Sequence, residues 1–351
     1  MKSKPMTKFA ILTLSLILVA CAGGGSEEAG CPAIDGREIN VVATTPMIGE
    51  FVSQVGGENI NLTVLMPPEA NPHTYEPAPQ DAGTIAEADL VFYTGLLYEP
   101  AALVKLLENS ACSTDILSEV GESVFPIEFK EGGHDDHDDH DDEEGHDDHD
   151  DEEGHDDEEG HDDEEGHDDH EGHNHGAYDP HFWFDPSRVA YAAEYIESRL
   201  IQFDPENESS YTSSADSFVS ELNDLTKQVS ELISTVPSQN RKLITTHESL
   251  GYLEAKFGLE VLSTIIPSLN SANEISPSDL AGVIDVIEDN NVKVIFIESE
   301  APSVYSETIV AETGIKPVTG LYVETLKPGQ SYSEFLISNV TLITENLQDT
   351  D

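Results

Sequence analysis

Forty-four consecutive residues, 132–175, contain no Ala, Val, Ile, Leu, Met, Phe, Tyr or Trp. A stretch without apolar side chains has nothing to bury, cannot offset the entropy of ordering, and is predicted to stay disordered. The 351-residue chain must therefore build its cores on either side of it. Charge is concentrated there too. Residues 131–171 hold 26 of the 71 acidic residues and none of the 15 Lys and Arg, which leaves −30 of the formal −56 for the remainder. With no excess of cations to displace counterions from phosphates, a nucleic-acid binder is excluded, and a basic patch for anionic lipid is not expected.

The stretch is repetitive and rich in histidine. His137–Gly145 is copied at His146–Gly154, and units of His-Asp-Asp-Glu-Glu-Gly begin at His155 and His161. Eleven of the 14 histidines lie here: His134, His137, His140, His146, His149, His155, His161, His167, His170, His173 and His175. Imidazole and carboxylate are both ligands for divalent metals of the zinc, copper and nickel type. On an unordered chain each chelate must first order free backbone, so binding there is expected to be weak and exchangeable. An acidic solubilising spacer would not need regular histidines. The EF-hand loop layout is absent, which argues against a dedicated calcium cage.

On both sides of the insert the pattern alternates. Buried-type strands are read at Ile39–Ala43, Ile60–Met66, Asp89–Tyr93, Leu243–Thr246, Leu259–Ile266 and Val292–Ile297. Helical stretches between them include Gln80–Ala88, Ala101–Leu107, Ser249–Phe257, Ser278–Glu288 and Ser303–Glu312. Such alternation predicts an α/β fold of two lobes, each with a mostly parallel sheet flanked by helices. After a helix near Ser187–Ile201, apolar residues recur at spacings of 4 and 3: Tyr211, Ala215, Phe218, Leu222, Leu225, Val229, Leu232 and Val236. This predicts one amphipathic helix about 45 Å long. A helical hairpin arm or a dimer seam would show the same stripe, but its place between two α/β clusters favours a rigid strut.

The expected organisation is a signal peptide over 1–20, a tether over 22–36, an N-terminal lobe over 37–130 and the insert over 131–177. The end of the first lobe follows over 178–203, then the linking helix over 204–238 and a C-terminal lobe over 239–351. The first segment reads as an export signal: Lys2, Lys4 and Lys8 precede the mostly apolar Phe9–Ala20, too short to span a bilayer. Leu18-Val19-Ala20-Cys21 resembles the bacterial lipobox, in which Cys21 would be acylated, anchoring the mature chain outside the cytoplasm. Ala22–Glu28 suits a flexible tether. Cys31 and Cys112 remain; an exported compartment permits a disulfide between them, and bonded and free forms both stay open.

Three histidines fall outside the insert, each at an element edge. His73 lies in Asn71–Pro77, His181 in Asp179–Pro186, and His247 follows the strand Leu243–Thr246. Loops after the carboxyl ends of parallel strands are where α/β proteins bind ligands, so the three can converge on one ion. Any one of them can equally be a core or capping residue.

Together with Asn291–Glu298 and Leu321–Leu326, these motifs resemble the metal-binding solute-binding proteins of ABC uptake transporters, particularly the zinc-specific branch. The resemblance implies two lobes joined by a rigid helix, with one metal held in the cleft. Carried over position by position, it implies His73, His181 and His247 as ligands, with Glu324 of Gly320–Leu326 as the fourth. Glu298 would stand behind the ligands, and Glu76 is a weaker candidate for the same role. Three imidazoles and one carboxylate suit Zn2+ better than the all-oxygen sets of magnesium and calcium. Manganese-specific relatives usually replace one histidine by a second carboxylate, so manganese or nickel is the alternative within the family. The partners implied are an ABC permease and its ATPase, with the protein a lipid-anchored monomer.

Three histidines with a bound water would also suit a zinc hydrolase. However, His247-Glu248-Ser249-Leu250-Gly251 lacks the second histidine of His-Glu-x-x-His, and neither a Gly-x-Ser-x-Gly elbow nor a phosphate-cradling glycine loop is present. The sequence is therefore read as a binder and not an enzyme. A surface adhesin or passive metal store remains as a third class; a store would carry many similar weak sites, a transporter subunit one tight site plus weak ones.

Overall fold

In the computed structural model the described residues are Cys31, Ile34, 36–129, 178–300 and 304–348. Cys21, His134, His137, His140, His146, His149, His155, His161, His167, His170, His173 and His175 all lie outside them.

The first sheet is built from β1 (Ile39–Ala43), β2 (Ile60–Val64), β3 (Leu90–Tyr93) and β4 (Leu117–Glu119), in the order β2-β1-β3-β4 with every pair parallel. Its helices are α1 (Pro46–Gly56), α2 (Pro79–Ala86) and α3 (Ala101–Ser110), joined after the insert by α4 (Pro186–Phe203). Alternate residues of one strand face opposite layers. Val42 and Val91 pack with Ile85, Leu103 and Leu107 of α2 and α3, while Val41, Ala43, Leu90 and Phe92 pack with α1 and α4.

The second half contains β5 (Lys242–His247), α6 (Gly251–Phe257), β6 (Glu260–Ile266), α7 (Pro277–Asn290), β7 (Val294–Glu298), α8 (Val304–Thr313), β8 (Lys316–Leu321) and α9 (Tyr332–Gln348). β5 pairs with β6 and β7 with β8, both parallel. β5 and β7 meet through side chains: His247 N–H donates to Glu298 Oε1 at 3.2 Å, and Glu298 N–H to Thr246 Oγ1 at 3.0 Å.

Between the halves runs α5 (Glu208–Ser234), 27 residues and about 40 Å long. It begins later than the pattern suggests, because Asp204 caps α4 and a 3-10 turn, Pro205–Asn207, intervenes. Its buried stripe also drifts: Ile233 is buried where strict spacing places Leu232, the expected slip of a 3.6-residue helix against a 3.5-residue repeat. One apolar cluster includes Phe218, Leu225 and Val229 of α5, Phe51 of α1, Phe296 of β7 and Phe335 of α9. The strut is thus part of a core that both halves share.

Four elements escape the pattern reading. α1 carries a full start signal, with Thr45 Oγ1 accepting from Ile48 N–H and Pro46 in the first turn, and α9 buries Tyr332, Phe335, Leu336, Val340 and Ile343. β4 is three residues long, and β8 (Lys-Pro-Val-Thr-Gly-Leu) holds proline and glycine, which count against a strand. The Cys31 and Cys112 sulfurs are bonded, with Cα atoms 5.0 Å apart, tying the start of the described chain to the residues just past α3. Among the described residues no helix is long and apolar enough to cross a membrane.

Candidate metal centre

Four side chains converge where strands end. His73 sits in a 3-10 turn, Pro72–Thr74, after β2; Asn71 caps the turn, its Oδ1 accepting the His73 backbone N–H at 2.9 Å. His181 precedes the turn Phe182–Phe184, His247 is the last residue of β5, and Glu324 follows β8. One donor atom from each lies within 4.8 Å of all the others. His181, His247 and Glu324 are fully buried, and the His73 side chain is 3% exposed.

The spacing suits one small ion. A tetrahedral zinc with bonds of about 2.1 Å sets its donors about 3.4 Å apart. His73 Nε2 and His247 Nε2 lie 3.1 and 3.0 Å from Glu324 Oε1, and His181 Nε2 lies 3.5 Å from Oε2. The Nε2 atoms of His181 and His247 are buried without a hydrogen-bond partner despite this closeness. Buried polar atoms without partners are costly, and a cation at their focus would satisfy both. The donor set therefore fits a divalent metal.

The ring nitrogens facing away are occupied. His181 Nδ1–H donates to Asp179 Oδ1 at 2.8 Å, and His247 Nδ1–H donates to Glu298 Oε2. Such pairs fix the tautomer that leaves the Nε2 lone pair for a metal and stop the ring from turning. Tyr98 O–H donates to Glu324 Oε2 at 2.9 Å, with the carbonyl of the same residue 3.1 Å away. Trp183 Nε1–H binds the Val323 carbonyl at 2.8 Å and is braced in turn by Tyr332 O–H on its own carbonyl at 2.6 Å.

Electrostatics follow from burying three imidazoles with carboxylates. Burial pulls the His247 imidazolium down, but Glu298 and Glu324 outweigh it and hold its pKa well above the usual range. His181 likewise loses to burial but gains more from Asp179 and Glu324, reaching about 8. Burial pushes Glu324 up, and the opposing imidazoles of His73, His247 and His181 carry it well below the ordinary carboxylate range. Glu300 is raised to about 8, first by burial, then by Glu324 and Glu298. Its Oε1 accepts the backbone N–H groups of Val323 and Glu324, at 3.3 and 3.4 Å.

Of the residues expected from sequence, His73, His181, His247 and Glu324 come together, and Glu298 stands directly behind His247. Glu76 is a correction: it is exposed on the loop after the His73 turn, outside the cluster, because the chain there already heads for α2. Tyr98, Asp179 and Glu300 were not singled out. Asp179 had a signal, two residues before His181; Tyr98 had none, being 226 residues from the carboxylate it binds.

The family model described as zinc-uptake complex component A, periplasmic (ZnuA) matches residues 41–346. The manganese-binding lipoprotein MntA of Halalkalibacterium halodurans is 22% identical, over 97% of this chain and 97% of that protein. The high-affinity zinc uptake system protein ZnuA of Bacillus subtilis is 27% identical, over 97% of this chain and 96% of that protein. Among solved structures, the periplasmic zinc binding protein TroA of Treponema pallidum superposes with a TM-score of 0.71 at 20% identity, covering 88% of this chain and 99% of its own, which speaks for the two-lobed fold.

Proposed function

The chain belongs to the zinc-uptake complex component A family, the metal-binding components of ABC transporters that work with a membrane permease and an ATPase, and on that premise we propose that its cargo is zinc. One observation carries the choice: three imidazole nitrogens and one carboxylate oxygen converge in a buried pocket. Nitrogen-rich, four-donor sites suit zinc, whereas manganese favours carboxylate and water. The name of the Halalkalibacterium halodurans relative supports manganese as the second reading.

Capture places the ion among His73, His181, His247 and Glu324, whose own charges are balanced in advance by Asp179 and Glu298. Because α5 belongs to a core shared by both halves, release proceeds by small shifts of lobes and loops and not by wide hinge opening. The histidine-rich insert acts as a low-affinity collector close to the site, and acylation at Cys21 keeps a monomeric protein at the outer face of the cell membrane, beside its permease.

Calorimetric titration with zinc and with manganese tests this, using the intact chain, a chain lacking residues 134–175, and His247→Ala. One tight zinc site is expected in the first two and is lost in the third, with manganese weaker throughout. Tight binding that vanishes with the insert, or survives His247→Ala, overturns the site. Manganese binding tighter than zinc overturns the cargo.

A further inference from the structure

We propose that Tyr98 sets the coordination number of the site: by holding one oxygen of Glu324, it makes that carboxylate a single-oxygen ligand and favours a four-coordinate ion. The proposal rests on the reading of His73, His181, His247 and Glu324 as metal ligands. A carboxylate can bind a metal through one oxygen or both. Here the two oxygens are not equivalent. Glu324 Oε1 faces the Nε2 atoms of His73 and His247 at 3.1 and 3.0 Å. Oε2 accepts a hydrogen bond from the Tyr98 hydroxyl at 2.9 Å, with His181 Nε2 farther off at 3.5 Å.

The hydroxyl is not free to swing away. The Tyr98 ring is buried edge-to-face against His73, His181 and Trp183, with centroids 5.0, 5.8 and 5.3 Å apart. Its backbone is fixed by an unusual run. Gly95, Leu96 and Leu97 all have positive φ, at 75°, 53° and 62°, a conformation leucine adopts only at a cost. Two carboxylates hold the run: Glu99 accepts from Thr94 and Gly95 N–H, at 2.7 and 2.9 Å, and Glu119 accepts from Leu96 N–H at 2.9 Å. At Gly95 a side chain would run into the Glu119 carboxylate.

Without the hydroxyl, Oε2 would be buried with no donor and would turn onto the ion as an additional ligand. A fifth donor suits a larger, oxygen-seeking ion such as manganese and disturbs a tetrahedral zinc. Tyr98 is thus a positioning residue that acts through Glu324 to set which metal is preferred.

The test is Tyr98→Phe in the full chain, which keeps the ring and removes only the oxygen. One equivalent of cobalt(II) is the probe, because four-coordinate cobalt gives intense visible bands and higher coordination gives weak ones. Intense bands are expected for the wild type, with a several-fold loss in Tyr98→Phe. The zinc-to-manganese affinity ratio is expected to fall about tenfold or more, the scale of outer-contact effects on metal sites. A merely structural role would lower the melting temperature without moving the cobalt spectrum. Unchanged spectrum and ratio in Tyr98→Phe, with cobalt binding still dependent on His247, overturn this proposal alone. Cobalt binding indifferent to His247→Ala overturns the site reading beneath it. Independently of any variant, X-ray absorption on the zinc-loaded wild type should count four nitrogen and oxygen donors; five or more overturns the proposal.

Discussion

Zinc binding at pH 7 should expel about two protons. In the metal-free site His181 titrates at about 8 and His247 well above its usual range. At pH 7 His181 is therefore about 90% protonated, and His247, raised by Glu298 and Glu324, is on the protonated side as well. Each must lose the Nε2 proton before that nitrogen can bind a metal, while the Nδ1 protons stay on the rings, donated to Asp179 and Glu298. Glu324 contributes none, since the imidazoles hold it ionised far below neutral pH. Each displaced proton costs about 1.4 kcal/mol per pH unit below the group's pKa. Two together cost about 2.7 kcal/mol, so the zinc Kd should weaken roughly 100-fold from pH 7 to pH 6. Calorimetry at pH 7 in two buffers of different ionisation enthalpy gives the proton count directly, and chelator competition between pH 6 and 8 gives the slope. Less than half a proton per zinc, with a flat Kd, would refute the picture of carboxylate-raised imidazoles.

The same groups set the stability of the metal-free protein. The stabilisation from His181 is fully present below about pH 6.5 and lost as pH rises through about 8, and Glu300, protonated in the fold up to about 8, acts in the same direction. Melting of the metal-free protein should therefore weaken between pH 6 and 9, by about 2 kcal/mol from His181 alone, and that His181 part should be absent when zinc is bound. Asp179→Asn removes the acceptor that orients His181 and should weaken zinc binding about 10- to 100-fold in chelator competition; an unchanged Kd would speak against that role. Gly251→Ala places a Cβ 2.7 Å from Asp179 Oδ2, so it should weaken zinc binding without touching a ligand, and adding it to Asp179→Asn should cost little more. Breaking the Cys31–Cys112 bond, which closes 81 residues, should cost about 4.5 kcal/mol; melting of Cys31→Ala/Cys112→Ala against the wild type measures it, and a loss below about 1 kcal/mol contradicts the loop-closure account.

The strands most easily read from sequence are those buried on both faces. Ile39–Ala43 and Val294–Glu298 consist mostly of β-branched and aromatic residues because helices cover both sides of each sheet. β8 was illegible for the opposite reason: Lys316, Pro317, Thr319 and Gly320 are exposed and only Val318 and Leu321 reach the core. The four converging side chains were legible because three lone histidines stood at element ends and the fourth position followed from a resemblance. Most of what surrounds them was not. Glu298 behind His247 came with the resemblance, but Tyr98 meets Glu324 across 226 residues, and no local spacing encodes such a pairing. Glu300 lies beyond the end of β7 at Glu298, so its approach to the Val323 and Glu324 N–H groups depends on how the chain turns there, which strand periodicity does not describe.

The histidine-rich insert is bounded by an isolated antiparallel bridge between Glu128 and Tyr178, and Asp179 N–H donates to the Ile127 carbonyl at 3.0 Å. The chain thus leaves and re-enters the fold at one point, and the described residues on its two sides hold Asp179, and through it His181, in place. Whole repeat units can therefore be gained or lost between those anchors over generations without retuning the metal centre, since insertions between fixed surface ends are tolerated. Repeat copy number becomes a trait that can change on its own, while His73, His181, His247 and Glu324 stay in place.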